Sequence, residues 1–136
     1  MSKPIPTVRS YMTATPHSVR PDMPLSAADK LMHEHGFRHL PVLQGGRLIG
    51  LVSQRDIRLI ETLKDVDPKT VTVEDAMSQD LYEITPDTPL EEVAASMAAH
   101  KYGSAVVMEA GKLVGIFTTV DALRALVEIL HSRRAH

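Results

Sequence analysis

One seven-residue pattern occurs twice in this chain. It reads GLVSQRD over Gly50–Asp56 and GIFTTVD over Gly115–Asp121. Each copy joins an apolar run containing a glycine to a hydroxyl residue, and an aspartate follows three positions later. The two aspartates lie 121 − 56 = 65 residues apart, and the same spacing relates many other positions without insertion or deletion. This regularity indicates an internal duplication. Further matched pairs are Met12 with Met77, Met32 with Met97, Gly46 with Gly111 and Leu48 with Leu113.

Composition limits the class of protein. Of 136 residues, 43% are hydrophobic and 24% are charged, which is ordinary for a globular domain. The absence of cysteine excludes disulfides and thiolate metal sites. A formal net charge of −2 disfavours a nucleic-acid-binding protein, which normally presents a strongly basic face. No apolar stretch is long enough for a membrane span, and the first residues lack the apolar run of a signal peptide. We therefore expect a cytoplasmic protein with no membrane or nucleic-acid partner.

The pattern of each half predicts strand, helix, strand, strand, helix. Short strands are expected over residues 13–19 and 78–84, each ending at a Pro-Asp turn. The hairpins are predicted to turn through three-residue loops ending at Gly46 and Gly111. Thr88 fits a helix N-cap with Glu91 completing a capping box, and a helix follows each hairpin. This predicts an α/β (α+β) fold of two repeats, residues 7–64 and 72–130, with residues 65–71 as the linker.

The doubled signature resembles a pair of CBS domains, named for the regulatory part of cystathionine β-synthase. The segments Gly36–Val42 (GFRHLPV) and Gly46–Ser53 (GRLIGLVS) are typical of that family. The resemblance covers about residues 7–126 and implies a stand-alone module. Its repeats would pack through their sheets around a pseudo-twofold axis, leaving two clefts. Members often bind AMP, ADP, ATP or S-adenosylmethionine in such clefts, and pair into disc-like homodimers.

The resemblance also implies roles for particular residues. Asp56 and Asp121 would hold the ribose, while Ser53 and Thr118 would face the phosphate. The adenine would lie between the first strand of a repeat and its hairpin. The residues expected there are Thr15, Val19, Leu81 and Ile84.

Cations at the edge of the first cleft would contact the phosphate. Arg38 and His39 occupy the positions where the family places such cations, and Arg55 is a further candidate. The second half has Gly103 and Ser104 at the matching positions; Ser104 is a candidate ligand contact there, but neither residue is a cation. This difference weakens the prediction of a phosphate site built only from residues of the second half.

Several readings stay open at this level. A hydroxyl residue followed three positions later by an acid is itself a helix capping box, and ligand binding can use the same helix start. The histidines His33, His35 and His39 do not converge as zinc ligands must, so no metal site is expected. No nucleophile with a partner base appears, so the chain is not expected to be an enzyme. The remaining alternatives are a nucleotide sensor that modulates an unidentified effector protein, a ligand-free module for dimerisation or protein interaction, and an S-adenosylmethionine-binding module.

Overall fold

The fold is seen in a computed structural model, which describes residues 5–14 and 17–134. The helices are α1 Leu25–His35, α2 Gln54–Glu61, α3 Val73–Ala76, α4 Leu90–His100 and α5 Thr119–Arg134, with a 3₁₀ turn at Val8–Ser10. The strands are β1 Thr13–Ala14, β2 His39–Gln44, β3 Arg47–Ser53, β4 Glu83–Ile84, β5 Ser104–Glu109 and β6 Lys112–Thr118. The predicted mixed fold of two similar repeats is confirmed. Within the described residues no helix is long and apolar enough to cross a membrane.

The two hairpins turn through two residues, where the sequence predicted three. In the first hairpin Gly45 and Gly46 have φ values of 58° and 81°. In the second hairpin Ala110 and Gly111 have φ values of 53° and 77°. Two consecutive residues at positive φ are typical of a type I′ turn, whose twist matches that of the flanking strands. The strands therefore extend one residue further into the loop than the glycine pattern suggested.

By internal contacts the chain forms two compact units. Residues 16–81 make the contiguous unit, and residues 1–15 together with 82–136 make the split unit. In the split unit β1 pairs antiparallel with β6, and β4 pairs in parallel with β5. The contiguous unit has the same two pairings as single bridges, between Leu51 and Ser78 and between Val19 and Val42. The units thus repeat one architecture. Residues 6–14 lie in the split unit, and residues 71–79, which match them at the spacing of 65, lie in the contiguous unit. We call these two stretches the exchanged segments, because each packs in the unit formed mainly by the other repeat.

This exchange explains why the predicted strands 13–19 and 78–84 are short. Thr13 pairs with Ile116 in the split unit, whereas Val19 bridges Val42 in the contiguous unit. The two ends of this segment therefore pair in different units. The repeats of the sequence and the compact units of the structure are consequently divided at different residues.

The exchanged segments also accept hydrogen bonds from the first amides of α1 and α4. The amide of Leu25 in α1 donates to the carbonyl of Val71, and the amide of Leu90 in α4 donates to the carbonyl of Pro6. Neither helix has a side-chain cap. The predicted capping box of Thr88 is therefore wrong, because its hydroxyl accepts a hydrogen bond from the amide of Thr85 instead. A backbone carbonyl satisfies the helix end that a side chain would otherwise cap.

The glycine of the doubled signature permits a close approach by the exchanged segment. A Cβ atom on Gly50 would lie 2.6 Å from the sulfur of Met77, and one on Gly115 would lie 2.7 Å from the sulfur of Met12. Any larger residue would therefore collide with the methionine that crosses it. Each unit has its own apolar core, and the exchanged segments contribute Val8 to one core and Val73 to the other, both fully buried.

Candidate functional site

The first site residue, Asp56, is held at the start of α2. Its Oδ2 atom accepts hydrogen bonds from the amide of Ser53 at 2.9 Å and from the hydroxyl of Ser53 at 2.8 Å. The amide of Asp56 donates in return to the Ser53 hydroxyl at 3.1 Å. This is the capping box that the spacing predicted, and it fixes the carboxylate beside the positive end of the helix dipole. Asp56 is half-buried, and among the described residues these hydrogen bonds reach only its Oδ2.

Two basic residues, Arg38 and His39, lie beside this helix start. Arg38 immediately precedes β2, and its carbonyl accepts a hydrogen bond from the amide of Gln54, the first residue of α2, at 2.8 Å. His39 begins β2 and pairs in register with Ser53. The Arg38 side chain is exposed, whereas His39 is half-buried. The sheet register therefore brings Arg38, His39, Ser53 and Asp56 together within the contiguous unit.

The protonation of His39 reflects this environment. Burial lowers the pKa of its imidazole below the ordinary value of 6.5, the positive charge of Arg38 adds to this effect, and the carboxylate of Asp56 opposes it. The ring is consequently neutral at neutral pH when no anion lies against it. An incoming phosphate would favour the charged form.

The matching residues of the second repeat differ in burial and in charge. Asp121 is only 4% exposed, and its Oδ2 accepts from the amide and hydroxyl of Thr118 at 2.9 and 3.1 Å. Its Oδ1 accepts a hydrogen bond from the hydroxyl of Thr13 at 3.4 Å and lies 4.0 Å from the guanidinium of Arg124. Gly103 and Ser104 replace the cations, and Ser104 is buried. This carboxylate is engaged at both oxygens within its own unit.

The remaining predicted contacts are distributed as follows. Thr15 lies outside the described residues. Val19 and Ile84 are buried in the cores of their respective units, where Val19 exchanges backbone hydrogen bonds with Pro41 and Leu43. Leu81 is half-buried, and Arg55 is exposed on the first turn of α2. Their roles toward a ligand stay predictions.

Three histidines, His17, His35 and His100, take part in ring stacks. His17 stacks on His35 with ring centroids 4.2 Å apart, and His100 stacks on Tyr102 at 5.1 Å. Within residues 5–14 and 17–134 no three potential ligand side chains of His, Asp or Glu converge.

Sequence reasoning missed one member of the second site and one surface. Thr13 reaches Asp121 although the two are 108 residues apart. The spacing of 65 residues matches Thr13 with Ser78, so a hydroxyl group at this position could be read from the sequence. The sequence did not show that Thr13 would pack against the second repeat. The outward face of α5 was also missed, although its apolar period can be read directly from the sequence.

Comparison with known proteins identifies the family. The sequence model of the CBS domain family matches residues 1–61 and 73–128 of this chain. The CBS domain-containing protein YhcV of Bacillus subtilis is 31% identical over 115 residues, covering 85% of this chain and 81% of that protein. An inosine-5'-monophosphate dehydrogenase of Korarchaeum cryptofilum is 31% identical over 89% of this chain, which spans only 24% of that enzyme.

Solved structures agree with this assignment. A structure described as a putative acetoin utilization protein (AcuB) from Vibrio cholerae superposes with a TM-score of 0.87 at 28% identity, covering 98% of both chains. CBSX2, solved in complex with AMP, has a TM-score of 0.79 at 29% identity, covering 90% of this chain and 97% of its own. With two matched segments and the same element order in each, this chain belongs to the CBS domain family as a tandem pair of CBS repeats.

Proposed function

We propose that the protein is a cytoplasmic regulatory module that binds an adenine nucleotide at the start of α2 and, in doing so, modulates a partner protein. The observation that carries the proposal is the half-exposed carboxylate of Asp56, fixed by Ser53 beside Arg38 and His39. Ribose hydroxyls can donate to the carboxylate oxygen that the capping box leaves available. The cations and the helix N-terminus favour the negative charge of a phosphate.

The adenine nucleotide is supported by a related structure. CBSX2, which was solved with AMP, is 29% identical to this chain and covers 97% of its own length in the superposition. AMP, ADP and ATP share the ribose and the first phosphate, so the residues at α2 do not choose among them. S-adenosylmethionine offers the same ribose but no phosphate, so its carboxylate is the one anionic group that Arg38 or His39 could bind.

The two repeats do not support the proposal equally. At Asp121 the hydroxyl of Thr13 already occupies the second carboxylate oxygen, and no cation replaces Arg38 or His39. A nucleotide there would have to displace Thr13, and its phosphate would find no cation at the positions that match Arg38 and His39. We therefore place the principal site at Asp56, and the predicted role of Asp121 in ribose binding has less support.

Isothermal titration calorimetry tests the proposal. AMP, ADP, ATP and S-adenosylmethionine are titrated into the wild-type protein and into Asp56→Ala. We expect at least one phosphorylated nucleotide to bind, and its affinity to fall by at least about tenfold in the variant, as expected for loss of a charged hydrogen-bonding partner.

The chain offers a matched control for this experiment. Asp75 accepts hydrogen bonds from the amide and hydroxyl of Thr72 in the same type of capping box at α3. Asp75→Ala removes an equivalent cap from the same unit and should leave nucleotide affinity unchanged. Absence of heat with all four ligands at millimolar concentration overturns the proposal, and equal loss of affinity in both variants overturns the placement at Asp56.

The alternative function, a ligand-free interaction module, is favoured by a specific observation. Both carboxylate oxygens of Asp121 already accept hydrogen bonds, which gives less support to one of the two expected ribose positions. If calorimetry detects no ligand, this alternative becomes the better account of the protein.

A further inference from the structure

The two exchanged segments cross their units at equivalent places. Thr13 pairs antiparallel with β6, and Ser78, which matches it at the spacing of 65, forms the corresponding antiparallel bridge to β3. A Cβ atom added to Gly115 would lie 3.0 Å from the carbonyl oxygen of Thr13. The matching distance from Gly50 to Ser78 is 3.1 Å. The backbone therefore places both residues alike, and the two units differ there only in the side chain.

The aspartates of the two capping boxes are also held alike at one carboxylate oxygen. Oδ2 of Asp56 and Oδ2 of Asp121 each accept a hydrogen bond from the backbone amide three residues earlier, at 2.9 Å in both. The other oxygen, Oδ1, distinguishes them. The hydroxyl of Thr13 donates to Oδ1 of Asp121 at 3.4 Å. Among the residues that the structure describes, Ser78 makes no such contact with Asp56.

One methyl group separates the two side chains at this position. Threonine is branched at Cβ, so its hydroxyl has few orientations available, and that of Thr13 points at the carboxylate. Serine is less restricted, and an exposed hydroxyl can bond to water instead. Ser78 is exposed and Asp56 is half-buried, whereas Asp121 is 4% exposed. A buried carboxylate needs a donor from the protein, and Thr13 supplies one.

A second neighbour of Asp121 contributes less to this difference. The guanidinium of Arg124 lies 4.0 Å from Oδ1, but the Arg124 side chain is 77% exposed, so solvent screens the pair. The matching residue of the first repeat is Leu59, which carries no charge. The hydroxyl of Thr13 is therefore the group that occupies this oxygen of Asp121.

We propose that the residue at this matched position, Ser78 in one unit and Thr13 in the other, decides which aspartate keeps a free carboxylate oxygen and thereby which repeat binds a ribose. Ser78 leaves Oδ1 of Asp56 available to a ribose hydroxyl. Thr13 occupies the same oxygen of Asp121 from within the protein. Ser78 is thus a specificity-determining residue for the site at α2, although it belongs to the other repeat of the sequence. The inference rests on the proposed function, because it concerns the same carboxylate.

Calorimetry with AMP, ADP and ATP tests the proposal through two variants of similar shape. Threonine and valine at position 78 have nearly the same volume and the same branching, and only threonine carries a hydroxyl. Ser78→Thr should raise the Kd of each nucleotide that binds by about tenfold or more, as expected when a hydrogen bond to a charged group is lost. Ser78→Val should raise it by no more than about threefold.

The contiguous unit offers a control for this comparison. Ser26→Thr makes the same substitution on α1, outside the proposed site, and should leave nucleotide affinity unchanged. Equal losses of affinity in Ser78→Thr and Ser78→Val would show that added bulk, and not the hydroxyl, is responsible. That result overturns the proposal, and so does an unchanged affinity in Ser78→Thr.

Urea denaturation of the ligand-free protein tests the underlying contacts independently. Thr13→Val should lower the unfolding midpoint, and should lower it clearly less in an Asp121→Ala background, where the hydrogen bond is already absent. Ser78→Val should shift the midpoint equally with and without Asp56→Ala. Coupling of equal size in both pairs, or in neither, overturns the inference. If wild-type protein binds no nucleotide while the midpoints follow this pattern, the proposed function fails and the assignment of the free and the occupied carboxylate stands.

Discussion

At the scale of single residues, His39 links the proposed nucleotide site to pH. Burial and Arg38 lower the pKa of its imidazole, so the free protein holds it neutral near pH 7. A phosphate beside the ring stabilises the protonated form, and nucleotide binding should therefore take up a proton. Adenosine has no phosphate and should not cause this uptake.

Calorimetry in buffers of different ionisation enthalpy measures this proton uptake. At about pH 7 the heat of AMP binding should depend on the buffer in the wild type, with a fraction of one proton taken up per AMP. The dependence should shrink in His39→Gln, which keeps a polar side chain but cannot be protonated. An unchanged buffer dependence in that variant would show that His39 does not face the phosphate.

At the scale of elements, the two hairpin turns differ by one residue that decides their backbone strain. Ala110 has φ of 53° where the matching Gly45 has φ of 58°, and a Cβ at Gly45 would meet no atom within 4 Å. Ala110→Gly should therefore raise the free energy of unfolding by about 0.5–1 kcal/mol, since relief of left-handed strain exceeds the entropy cost of glycine. Gly45→Ala should lower it by a similar amount. Urea denaturation measures both, and shifts of the same sign would contradict the explanation.

The elements themselves were largely predictable, and their pairing was not. Periodicity located the helices, and the repeated Ser53/Asp56 and Thr118/Asp121 spacing predicted both capping boxes, because these depend on neighbours within one turn. The hydrogen bond from Leu90 to Pro6 was not predictable, because a spacing of 65 residues identifies equivalent positions without showing which copy each one contacts. The difference between Asp56 and Asp121 was hidden for the same reason, since Thr13 arrives from a distant segment.

At the scale of the whole molecule, the exchanged segments predict which half of the chain can fold alone. Residues 16–81 contain every core side chain of the contiguous unit, including the fully buried Val73. They also contain Val71 and Pro68, whose carbonyls accept from the first amides of α1, and Ser78, which pairs with Leu51. A fragment of residues 1–64 is similar in length and contains the whole first repeat of the sequence. It lacks Pro68, Val71, Val73 and Ser78, however, which lie beyond its last residue.

We therefore expect residues 16–81 to fold as an isolated fragment and residues 1–64 to remain largely unfolded. Loss of Val73 alone should lower the free energy of unfolding by on the order of 1.5–3 kcal/mol, because its buried side chain no longer contributes to the core. The unsatisfied amides of α1 destabilise the fragment further, and a unit of this size has little stability to lose. Amide chemical-shift dispersion in NMR spectra of the two fragments decides the matter. The Val73→Ala variant of the fragment 16–81 is the intermediate case, and it should fold with reduced stability. If residues 1–64 give spectra as dispersed as those of residues 16–81, the exchanged segment is not required for folding.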